Sequence, residues 1–254
     1  MSIREPMPQD GSNMPFYEER VDMACAFRWT VRLGLHEAVA NHFSLAVNDD
    51  GNRFLMNPKK HFASIKATDL LLLDANDRDT LSLPEAPDIT AWGLHGSIHR
   101  QCPQARCVMH VHPIYATVLA CLADSNMPPI DQNTATFYNR YVIDEGFGGL
   151  AFEDEGERCA QMLSNPGIKT MIMGNHGVLI IGDSVADAFN RLYYFERAAE
   201  TYVKALWTQQ PLRVLSPEIA EKTARELEQY PDQAVSHLNE LKNILDNEDP
   251  SFRD

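Results

Sequence analysis

The stretch Cys107-Val108-Met109-His110-Val111-His112-Pro113 constrains this chain more than any other. An apolar run of this length closed by proline reads as a buried strand. Side chains alternate across a strand, so His110 and His112 leave the same face a few ångströms apart. Two imidazoles so placed either hold one metal ion or hydrogen-bond within the sheet. A third histidine, His176, stands in Met173-Gly174-Asn175-His176-Gly177-Val178, where another apolar strand reaches a turn, and the neighbouring glycine leaves room above a metal. Three imidazoles with an open fourth position are the ligand set of catalytic zinc, as opposed to closed structural zinc. No cysteine pair has the spacing for thiolate ligation, and the chain offers His-x-His where a two-histidine, one-carboxylate iron site usually shows His-x-Asp or His-x-Glu. Zinc is therefore the first expectation, with manganese or iron(II) next. His95 and His99, one helical turn apart, form a second pair able to chelate; otherwise one is packed and one exposed.

The 254 residues, 44% of them hydrophobic, suffice for one large α/β domain or two small ones. A formal charge of −14 argues against general affinity for nucleic acid or anionic membrane, both polyanions, and favours a small-molecule substrate. Met1 to Gly11 lacks a basic start followed by an apolar run, so no secretory signal is read there. No apolar stretch approaches the roughly 18 to 20 residues that span a bilayer. Five cysteines without a CxxC pair read as reduced thiols of a cytoplasmic protein.

Apolar residues recur at three- and four-residue intervals from Phe16 to Gly34, predicting an amphipathic first helix ending at that glycine. His42 to Val47 and Arg53 to Pro58, around the turn-rich Asn48 to Asn52, predict a hairpin, and Asp69 to Leu73 a further strand. A helix is expected from Thr90 to just before Pro103, and another from Pro113 through Ala123. Pro128 to Gly149 has no clear period and reads as strand plus loop. Glu155 to Leu163 reads as a short helix. Lys169 to Met173 and Val178 to Ile181 read as strands, and Ser184 caps a long core helix reaching Leu206. After Pro211 the composition becomes charged, with one helix from Ser216 to Gln229 and an acidic end that is frayed or used in subunit contacts. Residues 1–210 thus form one domain and 211–254 a charged helical tail.

The order and spacing of Ala40-Asn41-His42-Phe43-Ser44, Met56-Asn57-Pro58, Ile89 to His95, Pro103 to His112 and Gly174 to Gly177 resemble the class II aldolase/adducin family over residues 17–207. The resemblance implies a three-layer α/β/α fold around a largely antiparallel central sheet and a homotetramer. It also implies a zinc held by His110, His112 and His176. Two departures stand out. Where the sugar-phosphate aldolases of that family carry an acid/base carboxylate, this chain has Ala91, which can neither transfer a proton nor bind a cation. Asp88 and Glu85 are displaced from that position and substitute only if the loop turns differently. The hydroxyls and glycines of the family's phosphate pocket are replaced by Ala38-Val39-Ala40 and by Lys59-Lys60. These departures resemble the adducin-like branch, but with the metal histidines retained.

The expected activity is that of a metal-dependent carbon–carbon lyase on a small hydroxy- or keto-carbonyl compound, the metal stabilising an enolate as it forms. Decarboxylation yields that enolate without an initiating base, so Ala91 weights the expectation toward it. His95 is the candidate proton donor, and Asn41, Lys59 and Lys60 are candidates for binding the substrate's anionic end. The alternatives are an adducin-like interaction protein with a structural or vestigial metal and an iron-dependent oxygenase on the same fold.

Overall fold

A computed structural model describes residues 14–82, 86–148, 153–230 and 232–254. The amino-terminal stretch read for a signal, Glu85 and the end of the aperiodic region at Gly149 lie outside these residues. Seven strands form one sheet: β1 (His42–Ala46), β2 (Arg53–Met56), β3 (Leu71–Asp74), β4 (Cys107–Val111), β5 (Tyr141–Asp144), β6 (Thr170–Met173) and β7 (Gly177–Gly182), in the order β3-β2-β1-β4-β7-β6-β5. Only β5 and β6 run parallel; every other neighbouring pair is antiparallel. The expected largely antiparallel sheet between helical layers is the observed architecture.

Alternation sorts the central strands into two faces. Phe43, Leu45, Met109, Val111, Val178 and Ile180 enter the larger core with α1 (Tyr17–Arg32), α3 (Ile114–Ala120) and α6 (Val185–Trp207). Val108, Met171, Leu179 and Ile181 enter the opposite core with α2 (Ile89–Gln101) and α5 (Glu153–Met162). His42, Ser44, His110 and His112 alternate with the first set and therefore look toward α2. A third apolar cluster joins Phe54, Met56, Leu71, Ala91 and Trp92.

Local signals explain the boundaries. Gly34 adopts a left-handed φ of 68°, two residues after α1 ends. Asp88 caps α2 through Thr90 N–H, and Ser184 caps α6 through Asp187 N–H. The aperiodic stretch after Pro128 contains strand β5 and also a short helix, α4 (Gln132–Thr136), capped by Asp131. The acidic end is not frayed. Beyond α7 (Pro217–Glu228) a second helix, α8 (Gln233–Glu248), and a final 3-10 turn pack Leu238, Leu241, Leu245 and Phe252 into the larger core. Its charges are offset by ion pairs to α1, Lys242 with Asp22 at 2.6 Å and Arg32 with Glu248 at 2.6 Å.

Candidate active site

β4 ends and β1 begins at the same edge of the sheet, with His42 opposite His110 in register. The turn after β6, with Asn175 at a left-handed φ of 57°, brings His176 to that edge. The ligand nitrogens of His110, His112 and His176 all lie within 4.8 Å of one another. His110 is buried, and the other two are partly exposed.

The hydrogen bonds of these rings suit a cation. His110 Nδ1 donates to the Val178 carbonyl at 3.1 Å, and His112 Nδ1 to the Glu37 carboxylate at 2.6 Å. Neutral rings protonated at Nδ1 present bare Nε2 atoms, here 3.0 Å apart. Lone pairs that close repel unless a shared cation lies between them. His176 adds a buried Nδ1 with no hydrogen-bond partner among the described residues. Burial lowers the pKa of His110 well below the ordinary value and that of His176 to about 4, so both keep a lone pair at neutral pH. The carbonyl and carboxylate behind His110 and His112 are the outer partners that fix ring orientation in metal sites. These residues fit a divalent metal ion.

The glycine beside His176 does something other than leave room above a metal. A Cβ on Gly177 would stand 2.5 Å from His112 Cδ2 and 2.7 Å from the Val111 carbonyl oxygen, so the bare backbone is what lets the His112 ring sit where it does. Phe147, about half exposed, stands 5.5 Å from the His176 ring and walls that side of the site.

His95 and His99 are both buried, at 0% and 3%, which corrects the reading of one packed and one exposed. Neither belongs to the ligand group. Both nitrogens of His95 are engaged, Nε2 with His42 Nδ1 at 2.7 Å and Nδ1 with Ser44 Oγ. His95 thus meets the site through His42, whose ring lies 4.9 Å from that of His110. Burial pushes His42 down to about 4, partly countered by the Asp88 carboxylate.

Asn41 is 2% exposed; its Oδ1 accepts from Glu37 N–H at 2.6 Å, tying down the loop that supports His112. Its Nδ2 is buried without a partner among the described residues, a donor available to a ligand. Lys60 is committed to Asp69 at 2.6 Å, whereas Lys59 stays exposed, 3.8 Å from Asp88. Asp88 itself caps α2 with one oxygen. Ala91, 1% exposed, packs among Phe54, Met56, Leu71 and Trp92, an apolar setting in which a charged side chain would be costly. Glu37, His42 and Ser44 carry no assigned role in the sequence reading. The alternation of His42 with Ser44 was their available signal; Glu37 sits in a loop and has none.

A family model described as Class II Aldolase and Adducin N-terminal domain matches residues 21–203. Decarboxylase NovR of Streptomyces niveus is 28% identical over 165 residues, covering 64% of this chain and 60% of that protein. The 4-hydroxy-3-prenylphenylpyruvate oxygenase/4-hydroxy-3-prenylbenzoate synthase of Streptomyces roseochromogenus subsp. oscitans is also 28% identical over 165 residues, 64% of this chain and 58% of that protein. The matched segment therefore spans only about three-fifths of these relatives' length. Among solved structures, an aldolase II superfamily protein from Pseudomonas syringae superposes with a TM-score of 0.84 at 25% identity, covering 96% of this chain and 98% of its own.

Proposed function

The chain belongs to the class II aldolase and adducin family, and from that premise we propose that it is a metal-dependent carbon–carbon lyase acting on a small hydroxy- or keto-carbonyl compound. The observation that carries this reading is the pair of bare Nε2 atoms of His110 and His112, 3.0 Å apart, with His176 completing the set. Three imidazole ligands suit zinc best, with manganese or iron(II) next. A divalent cation held there would supply Lewis-acid polarisation of substrate oxygens and offset the charge that develops as a carbon–carbon bond breaks.

The chain's own residues do the rest. Glu37 and the Val178 carbonyl hold two ligand rings in orientation. Asn41 Nδ2 and, at the rim, Lys59 bind the anionic end of the substrate, while Phe147 screens the His176 side from water. Lys60, the other lysine expected to bind that end, is paired to Asp69, which offsets its charge. The proton donation expected of His95 has no direct path to the substrate, because both of its nitrogens are engaged and it meets the site only through His42. Decarboxylation is favoured over aldol cleavage, since loss of carbon dioxide needs no initiating base and Ala91 supplies none. The name of the Streptomyces niveus relative supports the same choice.

The test is metal analysis of purified protein before and after His176→Ala, with a panel of hydroxy- and keto-acids assayed for carbon dioxide release. Near-stoichiometric metal in the wild type, lost in the variant, and carbon dioxide from at least one acid are expected. Wild-type protein that retains only traces of metal after reconstitution would instead favour a non-catalytic, adducin-like interaction role. A second reading, an iron-dependent oxygenase, draws on the name of the other streptomycete relative; full activity under nitrogen excludes it. A homotetramer in the cytoplasm completes the proposal. All five cysteines are free, as in a reducing compartment, and among the described residues no helix is long and apolar enough to cross a membrane.

A further inference from the structure

A file of buried side chains runs along the α2 face of the sheet toward the three histidines, and one backbone carbonyl sets its direction. His99 Nδ1 lies 2.7 Å from the Ala105 oxygen; a carbonyl has no hydrogen to give, so the ring nitrogen donates. Burial keeps His99 neutral, its pKa pushed down to about 4, which leaves its Nε2 bare. Ser44 Oγ, 2.6 Å away, therefore donates its single hydrogen to that nitrogen. The same oxygen also meets His95 Nδ1 and, with its hydrogen already used, accepts from it. His95 Nε2 is then bare and accepts from His42 Nδ1 at 2.7 Å. Each neutral ring carries its hydrogen on Nδ1, and the last, His42, ends with a bare Nε2.

Register delivers that end to the site. Ser44 pairs with Val108 and His42 with His110, so each step along the file moves toward the edge where His112 and His176 stand. His42 packs against the His110 ring but is not one of the mutually close ligand nitrogens. Among the described residues no donor reaches its Nε2. The His42 ring therefore stands beside the ligand histidines without being one of them.

We propose that His42 is the hydrogen-bond acceptor for a hydroxyl group of the substrate, and that the Ala105 carbonyl, His99, Ser44 and His95 are positioning groups that hold it in the accepting tautomer. The inference rests on the lyase reading for the substrate class and narrows it: hydroxy compounds, which bring their own hydrogen, are selected over keto counterparts, whose carbonyl would face a second lone pair.

The experiment uses full-length protein labelled with 15N-histidine. Long-range 1H–15N correlation of the imidazole rings separates the two neutral tautomers, and His42→Gln and His95→Gln assign the signals. His42, His95 and His99 are expected in the Nδ1–H form. In Ser44→Ala, His42 and His95 lose that single form while His99, still bonded to Ala105, keeps it; a merely structural role for Ser44 would leave all three unchanged. The second arm measures binding of lactate and of its methyl ether, 2-methoxypropionate, to zinc-loaded protein. One lost hydrogen bond corresponds to a roughly five- to tenfold preference for lactate. Because the ether also crowds the site, the comparison is between proteins: that part of the preference disappears in His42→Leu and shrinks in Ser44→Ala. An Nε2–H tautomer at His42 in the wild type, or a preference unchanged in His42→Leu, overturns the inference. Failure to retain zinc, manganese or iron(II) after reconstitution sinks the lyase reading separately, and the tautomer then still decides the direction of the file.

Discussion

Glu37 holds His112 by a single 2.6 Å contact from an exposed loop, so its removal tests ring orientation without touching a ligand. Glu37→Gln is expected to weaken metal binding about 10- to 100-fold, the usual effect of losing such a partner, as read by competition with a chelator. Gly177→Ala probes the same ring from the other side. Its Cβ must displace His112 or the Val111 carbonyl, so a loss of roughly 1–3 kcal/mol in stability is expected, as for other overpacked sites, together with weaker metal binding in the same titration. Protonation offers a third test. His42 and His99 sit near 4 in the folded protein against an ordinary 6.5, so between those values the unfolded chain binds more protons than the native one. Their contribution is fully present above pH 6.5 and is lost as pH falls toward 4. Urea unfolding of metal-free protein should therefore lose stability steadily across that window, and a flat profile would contradict the buried neutral rings. At this scale the sequence was legible where strand alternation dictates geometry: His110 and His112 must share a face. It was not legible where contacts come from loops, as with Glu37, or where a helix face meets a sheet face, as with His95 and His42, because no spacing rule links residues 53 positions apart.

Helices show the same division. The start of α3, directly after the ligand strand, is held from α6 by Glu196, whose two oxygens accept the Tyr115 and Ala116 N–H groups at 2.9 and 2.8 Å. Burial raises this carboxyl to about 7, and nothing in the periodicity of α6 distinguishes it from a surface glutamate. The apolar stripe of α6 is wide enough to read unaided; that of α8 buries Leu238, Leu241 and Leu245 while Val235 and Ile244 stay exposed, and it lies in an acidic segment that reads as a tail. In the fold those three leucines complete the larger core beneath α1, and the charges face outward into ion pairs. Leu238→Ala should accordingly destabilise the whole molecule by about 2–5 kcal/mol in a single cooperative transition seen by both circular dichroism and intrinsic fluorescence. An early, separate melting of the tail would instead show 211–254 to be an independent appendage.

At the scale of the molecule, a row of apolar side chains on α3 and the turn after it has no internal role among the described residues. Ile114, Val118 and Leu122 recur every four residues and are 68%, 38% and 36% exposed, and Trp207 at the end of α6 adds 66% exposure next to Tyr115. Scattered apolar residues on a surface are ordinary, but a contiguous row beside an exposed tryptophan is the composition of a subunit contact. A net charge of −14 opposes random association of such surfaces, so the row needs a fitted partner, and a second copy of this chain is the one the proposed homotetramer supplies. Val118→Asp places a charge in the middle of the row, at a position more than a third open to water in the single chain, so the fold has little reason to fail. Light scattering coupled to size-exclusion chromatography should show the wild type as a multimer and the variant shifted to smaller species. Metal content should not change with it, because His110, His112 and His176 all come from one chain. Equal masses for the two proteins would assign the row to some surface other than the subunit contact, whereas loss of metal on dissociation would mean that a neighbouring copy steadies the ligand strand through α3.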